Sequence, residues 1–290
     1  MDVMTAEPEE SAVPRVIDVW MQQPTAQFIG HEMFATLRRW MKREADERLT
    51  DLSVTVAAMD QAGVDIGLLS AWCSPQGWLI TNDDVAAAVR RFPGRFAGIA
   101  SADLSRPMDA VRELRRCVEQ LGFKGLRIVP WLWNLPPDDR RYYPLYAACV
   151  DLDVPFCLQV GHTGPLYPSE FGRPIPYVDR VALDFPELRI VGGHIGFPWT
   201  SEMIALATKY PHVYIDTSAY VPTRYPRELV DYMRGHGRQK VLFGTNYPML
   251  SPVRCVSEVD SLQLDVDQRS DFLWGNAARV FKLPASVGPP

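Results

Sequence analysis

FKGLRIVPWLWNLPPDDRRYYPLYAACVDLDVPFCLQVGHTG, residues 123–164, contains the structural unit that is repeated along the chain. Its apolar run at 123–129 predicts a strand, residues 142–152 predict a helix, and a second apolar run at 154–160 predicts another strand. Neither run alternates apolar with polar residues, which is typical of parallel strands covered on both faces. The stretch therefore predicts a strand–helix–strand unit of a parallel sheet.

The same alternation of strand and helix continues along the rest of the chain. The predicted strands are 16–20, 64–71, 96–101, 123–129, 154–160, 189–193, 213–216 and 240–243, and the predicted helices between them are 49–63, 82–92, 107–121, 142–152, 174–185, 201–209 and 226–235. Eight strand–helix units in one chain predict an α/β fold of the (β/α)8 TIM-barrel type. A doubly wound sheet is the competing architecture, but it requires a glycine-rich turn after the first strand, where this chain has Met21-Gln22-Gln23-Pro24.

One domain is predicted at 15–283, between flexible tails at 1–14 and 284–290. No linker or repeat interrupts the alternation of strands and helices. Residues 21–47 form a long insertion after strand one, which we expect to cap the mouth of the barrel. Further helices are predicted after strand eight. Thr50 is predicted to cap the first long helix and Gly63 to end it.

Composition argues against several classes of protein. The 290 residues carry a net charge of −5 and no long run of lysine or arginine, so neither a nucleic-acid nor a membrane surface is indicated. The five cysteines contain no C-x-x-C pair, which argues against a disulfide framework and fits a reducing compartment. The N-terminus lacks an apolar signal segment. A cytoplasmic location is the expectation.

Polar and aromatic residues recur at the C-terminal ends of the predicted strands, where a TIM barrel places its active site. The candidates are Asp18, Trp20 and Gln22 at strand one, Arg127 and Trp131 at strand four, His162 at strand five, His194 and Trp199 at strand six, Asp216 at strand seven and Asn246 at strand eight. Purely structural roles stay open for them. Asp18 could anchor a loop, Asp216 could cap a turn, Arg127 could pair with either carboxylate, and the tryptophans could be packing.

Several ordered motifs carry a resemblance to a known family. They are VIDVW at 16–20, GFKGLR at 122–127, GHTG at 161–164, GGHIGFPW at 192–199, YIDTS at 214–218, LFGTNYP at 242–248 and GNAARVFKL at 275–283. In these motifs the chain resembles the amidohydrolase-2 group. That group includes aminocarboxymuconate-semialdehyde decarboxylase, resorcylate decarboxylases and lactone hydrolases. The resemblance implies a TIM barrel, a small carboxylate substrate and, by analogy, a homodimer.

The metal-binding positions that the resemblance implies are altered in this chain. The family has I-D-x-H-x-H after strand one and G-S-D-x-P at strand eight, where this chain has Trp20, Gln22 and Asn246. An indole N–H cannot ligate a metal, and amide oxygens are weak ligands for zinc. His162 is the one family ligand that remains. His194, a proton-transfer residue in the family, also remains. We expect no tightly bound cofactor; a zinc ion held by His162 and a poorer ligand set is the alternative.

Three functions follow as hypotheses. The first is a lyase of the decarboxylase type that acts on a small carboxylate-bearing, cyclic or aromatic substrate, with His194 as general acid and base. His162, Asp216 and Asp18 complete its catalytic set. Arg127 is expected to clamp the carboxylate. The substrate site is expected to be lined by Trp20, Gln22, Asn246, Trp131 and Trp199. A metal-dependent hydrolase of lactones or similar compounds, with a rearranged ligand set, is the second hypothesis. The third is a non-catalytic paralogue that binds a small molecule.

Overall fold

Eight parallel strands form a barrel in this computed structural model, which describes residues 15–42 and 44–283. They are β1 (Ile17–Met21), β2 (Ile66–Ser70), β3 (Phe96–Ile99), β4 (Leu126–Ile128), β5 (Phe156–Gln159), β6 (Ile190–Gly193), β7 (Val213–Asp216) and β8 (Val241–Leu242). Each lies within one residue of its predicted range or inside it. The predicted flexible tails at 1–14 and 284–290 lie outside the described residues.

Backbone pairing joins these strands into a ring. β1, β2 and β3 pair in that order, and β4 to β8 pair in chain order. The two sheets meet on both sides, because Ala100 bridges Leu126 and Met21 bridges Tyr247. The N–H of Val19 also donates to the carbonyl of Phe243 at 3.0 Å. Pairing on both sides closes the sheet, as a barrel requires. The predicted TIM barrel is confirmed.

Helices surround the strands. Between successive strands lie Leu52–Ala62, Asn82–Arg91, Pro107–Glu119, Tyr143–Asp151, Pro174–Asp184, Thr200–Lys209 and Arg227–Arg234. The insertion contains Ala26–Gly30, Glu32–Phe34, Ala35–Met41 and Glu47–Thr50, and the C-terminal part contains Pro252–Ser257, Val259–Leu262, Val266–Ser270, Asp271–Gly275 and Asn276–Phe281. Four short turns, at Pro130–Trp133, Glu170–Gly172, His194–Gly196 and Pro222–Arg224, follow strand ends.

The prediction for the cap of the first long helix is wrong by one residue. Asp51, not Thr50, accepts the N–H of Ser53 at 2.9 Å. Thr50 instead belongs to the preceding 3-10 turn and donates to the carbonyl of Glu47. A carboxylate at the N-cap also interacts favourably with the helix dipole. Gly63 ends the helix as predicted, with φ 70°, a conformation that glycine adopts without a Cβ clash.

The last helix closes the N-terminal end of the barrel. Its Ala277, Val280 and Phe281 pack with the apolar residues inside the barrel, among them Ile17 and Leu68. The Asn276 side chain donates to the carbonyl of Val241 at 2.8 Å, at the start of β8. The opposite end of the barrel, where the strands end, is therefore the end that remains open to ligands. No helix in the described part of the chain is long and apolar enough to cross a membrane.

Candidate active site

A cavity of about 240 Å³ opens at the C-terminal ends of the strands. Polar residues at the strand ends form its floor, namely Gln22, Gln159, His162, His194 and Asn246. Its walls are mainly apolar and consist of Phe28, Phe34, Leu37, Trp40, Trp72, Trp131, Gly164, Pro165, Ala219, Tyr220, Met249 and Leu250. Four of these wall residues come from the insertion after β1, which covers the mouth as expected from the sequence.

The structure brings some of the predicted site residues to this cavity and places others elsewhere. Gln22, Trp131, His162, His194 and Asn246 line it. Asp18, Trp20, Arg127 and Asp216 are buried and do not line it. Trp199 also lies outside the lining and precedes the helix Thr200–Lys209. The predicted set is therefore divided between the cavity surface and the residues that support it.

His194 is half-buried at the end of β6 and is fixed from two sides. Its Nδ1 lies 2.7 Å from the hydroxyl oxygen of Ser218. Its ring centroid lies 4.9 Å from that of Trp20. Burial lowers the pKa of His194 to about 3, and the neighbouring Arg127 and His162 act in the same direction. The free site thus holds a neutral imidazole with one nitrogen engaged by Ser218.

Three residues that line the cavity have left-handed backbone conformations. His194 (φ 66°), Ala219 (φ 68°) and Asn246 (φ 69°) each follow one of the last three strands. A residue with a Cβ pays a steric cost in this region, of order 1–3 kcal/mol. Such conformations cluster at functional sites, because the surrounding structure must hold them in place.

Gln22 and Asn246 form an amide pair on the floor. The Nε2 of Gln22 donates to Asn246 Oδ1 at 3.1 Å and to the Tyr247 carbonyl at 2.5 Å. The Oε1 of Gln22 is buried without a partner among the described residues. The pair ties the end of β1 to the loop after β8.

Asp18 and Asp216 anchor loops. Asp18 accepts the N–H of Thr245 at 2.9 Å and the N–H of Trp20 at 3.1 Å. Asp216 accepts the N–H of Ser218 at 2.7 Å. Burial raises the pKa of each carboxyl to about 7. These contacts match the structural alternatives that the sequence leaves open for both residues.

Arg127 supports Trp20 from below. Its Nη2 donates to the Val19 carbonyl at 2.9 Å and its Nη1 to the Met21 carbonyl at 3.4 Å. The guanidinium carbon lies 3.7 Å from the centroid of the Trp20 ring. Burial lowers the pKa of Arg127 to about 10. Since only 1% of Arg127 is exposed, these contacts give no support to the predicted role as a carboxylate clamp.

The residues at the positions of the family's metal ligands do not fit a divalent ion. Trp20 offers only an N–H donor, and the Oδ1 of Asn246 already accepts from Gln22. Among the residues that the structure describes, no group of three or more His, Cys, Asp and Glu is arranged to hold a metal. A zinc site in an enzyme usually has three such ligands. Among the positions of the family's metal ligands, His162 is the one that keeps a strong donor.

Sequence reasoning missed some of the lining. Gln159 accepts the indole N–H of Trp131 at 2.7 Å and donates to the His162 carbonyl at 3.2 Å. A polar side chain at the end of the apolar run 154–160 was the signal that could have identified it. Phe28 and Phe34 lie in the insertion, which carries no periodic pattern that predicts their direction.

A larger cavity of about 550 Å³ lies beside the first and shares Phe28, Phe34, Leu37 and Met249 with it. Its other lining residues come from the insertion, the following helix and the loop after β8. It contains no histidine among its described lining residues. The smaller cavity is therefore the candidate active site.

Comparison with known proteins places this site in context. Residues 17–283 match the family model described as an amidohydrolase. The chain is 27% identical over 252 residues to a γ-resorcylate decarboxylase of Polaromonas sp. JS666, across 70% of this chain and 75% of that protein.

Solved structures resemble the fold as well. The structure of an uncharacterized TIM-barrel protein of Bordetella bronchiseptica has a TM-score of 0.81 and 25% identity, over 93% of this chain and 99% of the other. A dihydroxybenzoic acid decarboxylase of Polaromonas sp. JS666, solved with bound manganese and 2-nitroresorcinol, has a TM-score of 0.65 and 22% identity, over 94% and 98%.

Proposed function

Since this chain belongs to the amidohydrolase family, whose model matches residues 17–283, we propose that it decarboxylates small aromatic acids by histidine acid/base chemistry. Membership confirms the family predicted from the motifs, and with it the enzyme class, a hydrolase or carboxy-lyase of the amidohydrolase superfamily. The observation that carries the proposal is a cavity with two histidines on its floor and aromatic walls above. Such a cavity accepts a flat ring and sets its polar edge against groups that can move a proton.

The reaction needs one proton and releases carbon dioxide. A proton is added to the ring carbon that bears the carboxylate. The bond between that carbon and the carboxylate then breaks, its electron pair returns to the ring, and the carboxylate leaves as CO2. Desolvation in an apolar cavity assists this step, because the negative charge of the carboxylate disperses as the bond breaks.

His194 is the proposed proton donor. Its Nδ1 is engaged by Ser218 at 2.7 Å, which leaves Nε2 for the substrate. The imidazole is neutral in the free site. The negative charge of an arriving carboxylate favours its protonated form, so that His194 takes up a proton from solvent and gives it to the ring carbon. Asp216 acts as a positioning residue, since it holds the backbone of Ser218 at 2.7 Å.

The other floor residues orient the substrate in this proposal. His162 and Asn246 line the floor beside His194 and can form hydrogen bonds to the carboxylate. Trp131, which Gln159 holds at 2.7 Å, provides a flat wall for the ring. Trp20 supports the His194 ring from below, with 4.9 Å between the two centroids. Asp18 keeps Thr245 in place next to Asn246.

The alternatives have less support. A non-catalytic binding protein needs no imidazole oriented for proton transfer, whereas that of His194 is fixed by Ser218 at 2.7 Å. A metal-dependent hydrolase requires a set of ligands that Trp20, Gln22 and Asn246 do not supply. We therefore derive no step through a metal.

Turnover of aromatic acids tests the proposal. We expect the purified protein, without added metal, to release CO2 from a small hydroxybenzoate such as 2,6-dihydroxybenzoate, the substrate that appears in the name of a structurally similar decarboxylase. His194→Ala should lower the rate about 10²–10⁴-fold. The matched control His212→Ala, at an exposed loop position, should leave it unchanged. Hydrolysis of lactones without CO2 release would contradict the proposal, as would the absence of turnover with every small hydroxybenzoate tested.

A further inference from the structure

We propose that this cavity accepts ring acids with a single carboxylate and excludes those with a second one. The inference rests on the proposed decarboxylase function, because it concerns the substrates of the same cavity. It is drawn from the charges, the polar groups and the size of the cavity.

Charge is the first observation. No lysine, arginine, aspartate or glutamate is found among the described residues that line the cavity. Arg127 lies nearby but is 1% exposed, donates to the Val19 carbonyl and is covered by Trp20. An ionised carboxylate that enters the cavity therefore finds no lysine or arginine to offset the loss of its water, and the imidazole of His194, which its charge helps to protonate, serves one carboxylate only.

The imidazole and amide groups of the lining are grouped at the strand ends, which is the second observation. The imidazoles of His162 and His194 and the amide of Asn246 lie together where β5, β6 and β8 end. These groups can give hydrogen bonds to one carboxylate. Gln22 adds little, because its N–H donor is already used by Asn246 and Tyr247.

The described residues of the walls offer a second carboxylate the hydroxyl of Tyr220 but no imidazole, amide or charged side chain. Phe28, Phe34, Trp72 and Leu250 are among the apolar side chains of the walls. The indole N–H of Trp72 is itself buried. A second carboxylate on the ring would be pressed against these apolar groups, where an unpaired charge is strongly disfavoured. With only about 240 Å³, the cavity also gives a single ring little freedom to turn that group towards solvent.

Binding measurements with matched ligands test this inference. The probes are resorcinol, 2,6-dihydroxybenzoate and 2-hydroxyisophthalate, which carry zero, one and two carboxylates. Quenching of tryptophan fluorescence reports binding, since Trp72 and Trp131 line the cavity. We expect the monoacid to bind at least tenfold more tightly than the diacid. Equal or tighter binding of the diacid overturns the inference, as does a failure of all three probes to bind.

The second part of the test is a substitution that adds a cation to the cavity wall. Leu250→Lys places an ammonium at a half-buried lining position and should raise affinity for the diacid about tenfold, the effect of one additional charge-assisted contact. Val266→Lys is the matched control, because Val266 is 84% exposed and lines none of the described cavities. If circular dichroism shows that Leu250→Lys does not fold, Met249→Lys replaces it. Unchanged affinity for the diacid in a folded variant overturns the inference.

Release of CO2 is measured separately, so that the two proposals fail differently. Selective binding of the monoacid without release of CO2 from any acid upholds the inference and contradicts the decarboxylase function. Release from the diacid as fast as from the monoacid upholds the decarboxylase function and overturns the inference.

Discussion

The imidazole of His194 is controlled by its backbone, its hydrogen bond and its charge environment together. The left-handed conformation at φ 66° directs the chain out of β6, and Ser218 engages Nδ1 at 2.7 Å. Burial, together with the charge of Arg127, lowers the pKa of His194 and keeps the ring neutral until an anion arrives. A side chain fixed in this way is suited to proton transfer, since its orientation is set before the substrate binds.

Substitution at His194 should be more damaging than substitution at Gln22. In the proposed acid/base mechanism His194→Ala removes the proton donor and should lower the rate about 10²–10⁴-fold. Gln22→Ala removes neutral hydrogen bonds and should cost about tenfold. Steady-state kinetics on folded variants, with melting temperatures compared to the parent, measure the difference. Equal losses in the two variants, both responsive to added metal, would favour a metal-centred mechanism instead.

The buried carboxyl of Asp216 should make stability depend on pH. Its pKa is raised from 3.8 to about 7 by burial. In the unfolded chain the Asp216 carboxyl loses its proton near pH 4, whereas in the folded protein it keeps the proton up to about pH 7. The contribution of Asp216 to the unfolding free energy therefore falls as pH rises from about 4 to about 7. Asp216→Asn removes that contribution, which is roughly 2–4 kcal/mol at most over the interval.

Denaturant unfolding of parent and variant at several pH values measures this effect. The parent should lose stability relative to Asp216→Asn as pH rises through the interval. Asp151→Asn, at an exposed position, is the control and should follow the parent. Parallel curves for the parent and Asp216→Asn would show that the buried carboxyl does not titrate as expected.

At the scale of single residues, the sequence predicts which residues lie near the cavity better than it predicts the contacts that they make. Position along a strand identified His162, His194 and Asn246, because strand ends converge in a barrel. The sequence could not show that Arg127 turns its guanidinium to the backbone of β1 under Trp20. That direction depends on long-range packing, which no local pattern contains.

The strands of the barrel are connected by polar side chains as well as by backbone pairing. Arg127 on β4 donates to carbonyls of β1 across the interior. Asp18 on β1 accepts from Thr245 after β8. Gln22 after β1 donates to the Tyr247 carbonyl. These contacts converge on β1, which explains why Trp20 can hold its place beside His194.

Gly193 on β6 provides the space for Trp20. A Cβ at this position would lie 2.5 Å from Cζ3 of Trp20, so Gly193→Ala forces the indole to move. Overpacking of this kind costs about 1–3 kcal/mol. We expect a lower melting temperature and a larger loss of activity, because the indole contacts both His194 and Arg127.

The control for that substitution is Gly30→Ala. A Cβ at Gly30 has no neighbour within 4 Å, and the residue ends a helix in the insertion. Melting temperature and activity should both stay at the parent values. If Gly193→Ala behaved like this control, the packing of Trp20 against β6 would not be required for the site.

At the scale of elements, regular segments were predictable and irregular ones were not. Continuous apolar runs gave all eight barrel strands to within a few residues. The antiparallel hairpin of Trp72–Ser74 and Gly77–Ile80 was not predicted. Its strands are only three and four residues long, too short for a periodic pattern. The helices of the insertion were missed for the same reason.

At the scale of the whole molecule, the packing that closes the barrel and the candidate active site lie at opposite ends of the strands. The last helix fills the N-terminal end with Ala277, Val280 and Phe281. The insertion covers the other end and supplies Phe28 and Phe34 to the cavity wall. A closed barrel tolerates variation in its loops and strand ends, since the core below them is independent. Metal ligands can therefore be exchanged for hydrogen-bonding groups while the fold persists.

Metal removal should accordingly leave the folded protein unchanged. An ion that binds only the native state raises the unfolding free energy by RT ln(1 + [L]/Kd), so its removal lowers the melting temperature. We expect equal melting temperatures and equal CO2 release in EDTA and in added zinc or manganese. We also expect elemental analysis to find well under one metal per chain.

A designed variant gives that experiment its positive control. Gln22→His with Asn246→Asp adds an imidazole and a carboxylate to His162, and the two positions are already in contact, with Gln22 Nε2 3.1 Å from Asn246 Oδ1. Three such ligands are the usual set of a catalytic zinc site. The double variant should gain a melting temperature that rises with zinc and falls with EDTA, whereas the parent should not. The opposite result would be a parent protein that holds about one metal per chain after dialysis against a mild chelator and loses stability when the ion is removed. That result would show that the side chains of Gln22 and Asn246 do act as metal ligands.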